Sequence, residues 1–239
     1  MEWFDSNSEL FARERAALAQ QCPGLEPLAI YLNGVGSYRR YRIPVAAARG
    51  WIAVDPTISD SPAYEVAIVC PPDYPTQMPD LFCVDRLFRR GVDYHIYRDG
   101  TACLCLRLER RRWWTPGSTL VDFVTRLVLP FLNFQHCKRL GHEYPFGERK
   151  HGLNGIYQGL TDMVGFSAPE QLDRFIQLLL QPNTMRDRQT LCPCGSGKKL
   201  NSCHQSEVHL ASLAIDLGGL VEDLRTCGHG HGLELLKRS

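Results

Sequence analysis

The sequence has no surplus of charge of either sign. Its 27 Lys and Arg face 26 Asp and Glu, a formal net charge of +1. That excludes global electrostatic capture of nucleic acid or of an anionic membrane. It also has no long hydrophobic run. The longest, "LVLPFLNF", contains Pro130 and is far too short to span a bilayer. The opening "MEWFDSNSELFARERAAL" lacks the uninterrupted apolar stretch of a signal peptide, so a cytoplasmic protein is expected. No internal repeat is visible, and no nucleotide loop. "LNGVGSYRR" offers Gly34 and Gly36 without a third glycine. "GSGKK" has Cys192 where a phosphate-binding loop needs its first glycine, and Lys199 where it needs Ser or Thr.

What is present is a chain of 239 residues, 44% hydrophobic and 22% charged, long enough to bury a sizeable core. Ten cysteines are many. Cys22, Cys70, Cys83 and Cys137 are scattered among apolar residues and read as buried, reduced side chains. Cys103 with Cys105, and Cys192 with Cys194, are closely spaced. In a reducing compartment such spacing points to metal or catalysis rather than disulfides. The run "RLERRRWW", with Arg107, Arg110, Arg111 and Arg112, reads as a solvated loop or a docking patch for an acidic partner.

Periodicity predicts a mixed α+β chain. A helix is expected over 8–21, starting at Ser8 and ended by Pro23-Gly24. Short β-like runs follow at 28–34, 38–46, 50–56 and 63–70, bounded by turn residues, as in an antiparallel meander. "LFCVD" (81–85) is a further candidate edge strand. Four prolines in "PPDYPTQMPD" (71–80) forbid an inner strand or helix interior there. Helices are expected over 118–132, over 167–181 with a Ser167–Glu170 capping box, and over 208–224, the last weakened by Gly218-Gly219. The glycine-rich stretch 140–165 promises one or two helical turns at most.

"CPCGSGKKLNSCH" sets Cys192, Cys194, Cys203 and His204 in a C-x-C-x8-C-H array. Three thiolates and an imidazole suit tetrahedral Zn2+, with no position left for an activated water. So short a segment has no core of its own, and metal binding would supply its folding free energy, on the order of 10 kcal/mol. These thirteen residues resemble the zinc motif at the C-terminus of the SecA translocation ATPase. The resemblance implies a small structural zinc module for interaction.

In "HIYRDGTACLCL" a turn at Asp99-Gly100 separates His95 from Cys103. A thiolate attacks acyl groups, and the thioester it forms retains the energy to acylate an amine. An imidazole across the turn can hydrogen-bond a developing oxyanion or take a proton. Equally, both residues can be packing elements of a turn and strand. The wider pattern resembles the ubiquitin-conjugating enzymes, in particular their bacterial relatives, over residues 8–135. "YPTQMPD" supplies Tyr74, Pro75 and Pro79, "DYHIYRDGTACL" places Cys103 at the nucleophile position, and "WTPGSTLVDFV" supplies Trp114 and Pro116. The family asparagine falls at His95, which can still donate one hydrogen bond when neutral.

The resemblance implies the ubiquitin-conjugating fold over 1–165, then a helix and linker over 166–190, the zinc module at 191–205 and a helix and tail over 206–239. It implies a transferase that carries the C-terminus of a ubiquitin-like protein, or of another protein, as a thioester on Cys103 and passes it to an amine. With no ATP site in the chain, a separate adenylating enzyme is the implied partner. Among bacterial relatives such enzymes accompany antiviral systems, including those in which a cyclic-nucleotide synthase is the conjugated protein. No membrane or nucleic-acid partner is expected. The rival is a non-catalytic scaffold of the same fold that uses the zinc module for recruitment.

Overall fold

A computed structural model of the chain describes residues 3–27, 48–53, 63–143, 147–181, 183, 185 and 187–227. The chain forms two compact units. The first comprises Met1–Leu104 and Trp114–Gly147, the second Cys105–Trp113 and Glu148–Ser239. The architecture is α+β. None of the helices among the described residues is long and apolar enough to cross a membrane.

The first unit opens with one helical turn, Trp3–Ser6, and helix α1, Ser8–Gln21. Asn7, rather than Ser8, caps α1: its side chain accepts from Leu10 N at 3.0 Å. Four antiparallel strands follow, β1 (Leu25–Pro27), β2 (Ala48–Ala53), β3 (Ala63–Val69) and β4 (Asp80–Cys83), in the spatial order of the sequence. The register sets Leu25 opposite Gly50, Ala48 opposite Ile68 and Val66 opposite Cys83. Strand β3 is buried on both faces, with Tyr64, Val66 and Ile68 on one and Ala67 and Val69 on the other. The expected strands 28–34 and 38–46 lie outside the described residues.

Helix α2 runs over 120–140 as Leu120–Phe123, a π-helical stretch Val124–Val128, and Leu129–Leu140. Thr119 caps it by accepting from Asp122 N, while Asp122 accepts from Thr119 N at 3.0 Å. The expected helix ends at residue 132, eight residues short of its observed end. The wider π turn just before Pro130 accommodates the missing N–H, and the helix continues for ten residues more. Phe123, Val124, Leu127, Val128, Phe131 and Leu132 are buried along it.

The second unit contains α3 (Gly152–Val164), α4 (Pro169–Leu180), α5 (Gln205–Ala214) and α6 (Leu217–Thr226). The boundary expected at residue 165 is therefore corrected. Helix α3 belongs with the C-terminal elements because Ile156, Leu160 and Val164 join Phe175, Ile176, Val208 and Leu220 in one apolar cluster. The one or two helical turns expected at 140–165 are extended to a helix of 13 residues, since glycine serves close packing there. A Cβ at Gly159 would stand 2.9 Å from Leu106 Cδ1. Helix α4 starts at Pro169, with Gln171 reaching back to Ala168 N at 3.3 Å, so Ser167 and Glu170 form no capping box. The predicted 208–224 helix is two helices. Asp216 caps the second by accepting from Gly219 N at 3.2 Å.

The arginine run is not a free loop. Leu108 is fully buried in the second unit, and its N–H donates to Asp223 Oδ2 at 3.1 Å. Arg107 pairs with Asp223 Oδ1 at 3.2 Å. Of its four arginines only Arg111 and Arg112 stand exposed.

Candidate functional site

Two constellations anticipated from sequence take shape, one in each unit. In the first, a tight hairpin carries His95 and Cys103. A 3-10 turn, Val92–Tyr94, ends in His95, whose backbone is left-handed at φ 50° and ψ 38°. Chain reversal comes at Asp99-Gly100. Asp99 Oδ1 accepts from Thr101 N at 2.9 Å, and Gly100, at φ +95°, donates to Tyr97 O at 3.0 Å. Ile96 pairs with Ala102, and both are buried. Ala102 N donates to Leu81 O at 2.8 Å and Cys83 N to Gly100 O at 2.9 Å, which fastens the hairpin to β4.

These bonds fix Cys103. Its N–H donates to the His95 carbonyl at 2.7 Å, so the hairpin sets the two residues opposite each other. Both are half-buried. Helix α2 holds the far side of the turn. Gln135 Nε2 donates to Tyr94 O at 2.6 Å, and the His95 ring meets the Phe134 ring edge-on at 5.4 Å. Cys103 and Cys105 do not share a strand. Ordered pairing stops at Ala102, Cys103 belongs to the first unit and Cys105 to the second.

The other motif residues of the first unit brace this frame. Trp114 Nε1 donates to Pro75 O at 2.7 Å, across a cis Tyr74–Pro75 bond. The Tyr74 hydroxyl donates to Glu14 Oε1 at 2.6 Å, and Glu14 Oε2 accepts from Leu120 N at 3.0 Å. Glu14, on α1, is 3% exposed. One buried carboxylate thus joins α1, the proline loop and the first turn of α2, where the helix dipole favours negative charge. Burial and this bond to a carboxylate push the Tyr74 phenol far above its ordinary range.

In the second unit Cys192, Cys194, Cys203 and His204 converge, with their four ligand atoms all within 4.8 Å of one another. Cys192 Sγ and Cys203 Sγ lie 3.3 and 3.2 Å from His204 Nδ1, and Cys194 Sγ lies 3.6 Å from Cys203 Sγ. Metal–sulfur bonds of about 2.3 Å and a metal–nitrogen bond of about 2.0 Å give tetrahedral edges of about 3.5 to 3.8 Å. The donor set therefore fits a four-coordinate ion. The Ser196 hydroxyl, 3.2 Å from Cys194 Sγ, holds that thiol down to about 6, whereas burial lifts Cys192 to about 11.

Helix α4 cradles this knuckle. Arg174 Nε donates to Pro193 O and Gln171 Nε2 to Cys194 O, each at 2.9 Å. Gly195 is required beside it: at φ +81° an added Cβ would stand 2.7 Å from Arg174 Nη2. Phe166 meets the His204 ring edge-on at 5.4 Å and orients it.

Sequence reasoning found Cys103, His95 and the four metal-type ligands. It missed the residues that position them: Glu14, Gln135, Gln171 and Arg174. Each is a polar residue whose helical spacing reads as solvent-facing, so no local signal marks it. Of the scattered cysteines, Cys70 and Cys83 are buried as expected, and burial lifts their thiols well above the ordinary value. Cys22 and Cys137 are only half-buried, a correction that follows from their places at a helix end and on an outer helix face.

Comparison with known proteins returned no matching family model, no matching curated protein and no matching solved structure.

Proposed function

We propose that the chain is a ubiquitin-conjugating-like acyl transferase with a structural zinc knuckle. The observation that carries this reading is the 2.7 Å bond from Cys103 N–H to the His95 carbonyl, which sets a half-buried thiol beside an imidazole-bearing turn. The order helix, four-stranded meander, proline loop, cysteine hairpin and long helix supports the ubiquitin-conjugating fold. So does the bracing of that order by Tyr74, Pro75 and Trp114.

In the proposed reaction the Cys103 thiolate attacks the carbonyl of a protein C-terminus delivered as an acyl adenylate by a separate enzyme. A C–S bond forms and AMP leaves. An amine then attacks the thioester, the C–N bond forms, the C–S bond breaks, and the thiolate departs as the amine sheds a proton. His95, when neutral, donates its ring N–H to the tetrahedral oxyanion. The adenylate's protein is ubiquitin-like or another chain with a free C-terminus, and a role in bacterial antiviral conjugation rests on resemblance alone. Zn2+ held by Cys192, Cys194, Cys203 and His204 would close the knuckle without joining the chemistry.

The test is a reducible adduct on Cys103 that becomes a reduction-resistant oxyester in Cys103→Ser. An adduct that persists in Cys103→Ala sinks the reading. One observation favours the alternative, a non-catalytic scaffold. The His95 ring packs on Phe134 and its carbonyl serves the backbone, as a purely structural turn would have it. That reading predicts a Cys103 inert to iodoacetamide in the native protein. Alkylation there at the rate of an exposed thiol excludes it.

A further inference from the structure

Beside the cysteine hairpin, within the first unit, lies a shallow, open pocket. Its polar lining is Arg89, Lys138, Arg139, Tyr64, Tyr94 and Gln135. Two guanidiniums, those of Arg89 and Arg139, therefore border one small concavity, while the Lys138 ammonium lies 5.3 Å from the Phe134 ring. No lining residue is acidic, and among the described residues no carboxylate pairs with Arg89 or Arg139. The neighbouring acid, Asp85, is committed elsewhere. Its Oδ1 accepts from Leu87 N at 2.8 Å and its Oδ2 from Glu65 N at 3.4 Å.

The uncharged groups in the pocket are oriented to donate. Arg89 Nη1 donates to the Tyr94 hydroxyl at 3.3 Å, which leaves that hydroxyl's own proton for a further acceptor. On the other wall both the Tyr64 hydroxyl and Arg139 Nη2 lie 3.4 Å from His136 Nδ1. A guanidinium can only donate, so Nδ1 is the acceptor and the imidazole is the neutral Nε2–H tautomer. Burial and the nearby Arg139 charge, which both disfavour imidazolium, agree with this. The pocket thus gathers guanidinium donors and the Tyr94 hydroxyl proton within a lining that holds no carboxylate.

Its floor is aromatic. The Tyr64 and Phe88 rings lie 5.1 Å apart at 30°, and the Leu87 side chain beside them is 51% exposed. Guanidinium forks with a phenol donor suit a phosphate oxygen set, and the flat apolar floor suits an organic group attached to it. We infer that this pocket binds a phosphate monoester carried on a flat organic group. Because Gln135 lines the pocket and also holds Tyr94 O, an occupant there is coupled to the turn that carries His95.

Isothermal titration of the full chain with phenyl phosphate, AMP and inorganic phosphate tests the site. Saturable binding of phenyl phosphate and AMP is expected, each about tenfold tighter than inorganic phosphate, the worth of one well-buried ring contact. The tighter of the two identifies the carrier as a simple aryl or a nucleoside. The double variant Arg89→Ala/Arg139→Ala should weaken both at least about tenfold. Its unfolding midpoint should fall only slightly, since Arg89 is exposed and Arg139 loses its place over the Tyr64 ring while the ring itself stays. Tyr94→Phe, which keeps the ring, should also weaken binding. No saturable binding, equal affinity for all three probes, or undiminished binding by both variants would overturn the inference. None of these outcomes bears on adduct formation at Cys103.

Discussion

Glu14 and Tyr74 stand 60 positions apart in the chain, yet the phenol donates to the carboxylate at 2.6 Å in the interior of the first unit. The other oxygen of Glu14 takes the backbone N–H of Leu120. Glu14→Ala would leave both donors buried without an acceptor. The expected loss is about 2–4 kcal/mol of stability in urea, against about 1.5–3 kcal/mol for Tyr74→Phe, which removes only one bond. A Glu14→Ala cost under 1 kcal/mol would show that water replaces the carboxylate.

The left-handed backbone of His95 sorts its substitutions. Asn tolerates that conformation, so His95→Asn should fold with unchanged stability and, on the proposed reading, should retain discharge of a Cys103 thioester. His95→Val should cost about 1–2 kcal/mol from backbone strain alone. Paired denaturation and single-turnover discharge assays separate the backbone role from that of the ring.

Glycine in α3 offers a direct packing test. A Cβ at Gly155 would stand 2.2 Å from the Lys150 carbonyl oxygen, a backbone atom. At Gly159 the nearest atom is the movable tip of Leu106. Gly155→Ala should therefore destabilise by more than 2 kcal/mol, as an overpacked site does, and Gly159→Ala by about 1 kcal/mol. Ordinary helix propensity predicts a gain for both, so the sign alone is decisive.

The second unit should show an acid-side stability contribution from Glu109. This carboxylate is 2% exposed, and burial raises its pKa above the ordinary 4.5 despite Arg149 at 3.2 Å. Above 4.5 the folded state then binds more protons than the unfolded one. Stability from this group falls as pH rises from 4.5 through the raised value, and is flat beyond it. Glu109→Gln should flatten that slope in chemical denaturation at a series of pH values. An unchanged slope would show that Glu109 stays charged throughout.

Metal should be integral to the knuckle. Purified protein is expected to carry one zinc per chain by elemental analysis, lost in Cys203→Ser. Chelation should expose residues 191–205 to protease while leaving α2 protected, because Cys192 and Leu200 alone of that segment are buried in the apolar cluster of the second unit.

Sequence reasoning reached the chemistry-bearing residues because their signals are local. C-x-C-x8-C-H is a spacing, Asp99-Gly100 is a turn, and Cys103 follows it. The elements that failed did so for reasons of tertiary origin. Helix α3 exceeds the one or two turns expected because Gly155 and Gly159 read as breakers, whereas packing against Lys150 and Leu106 requires them. Helix α2 runs eight residues beyond the expected end at 132, with a π turn just before Pro130.

By itself the sequence determined the α+β class and the grouping of Cys192, Cys194, Cys203 and His204, since each follows from residue type at short spacing. Only the tertiary structure decided how those groups are held. Glu14, Gln135, Arg174 and Asp223 act across 19 to 116 positions of the chain. A polar side chain becomes a buried acceptor or a brace only when the fold removes water from around it and brings a distant backbone group within reach.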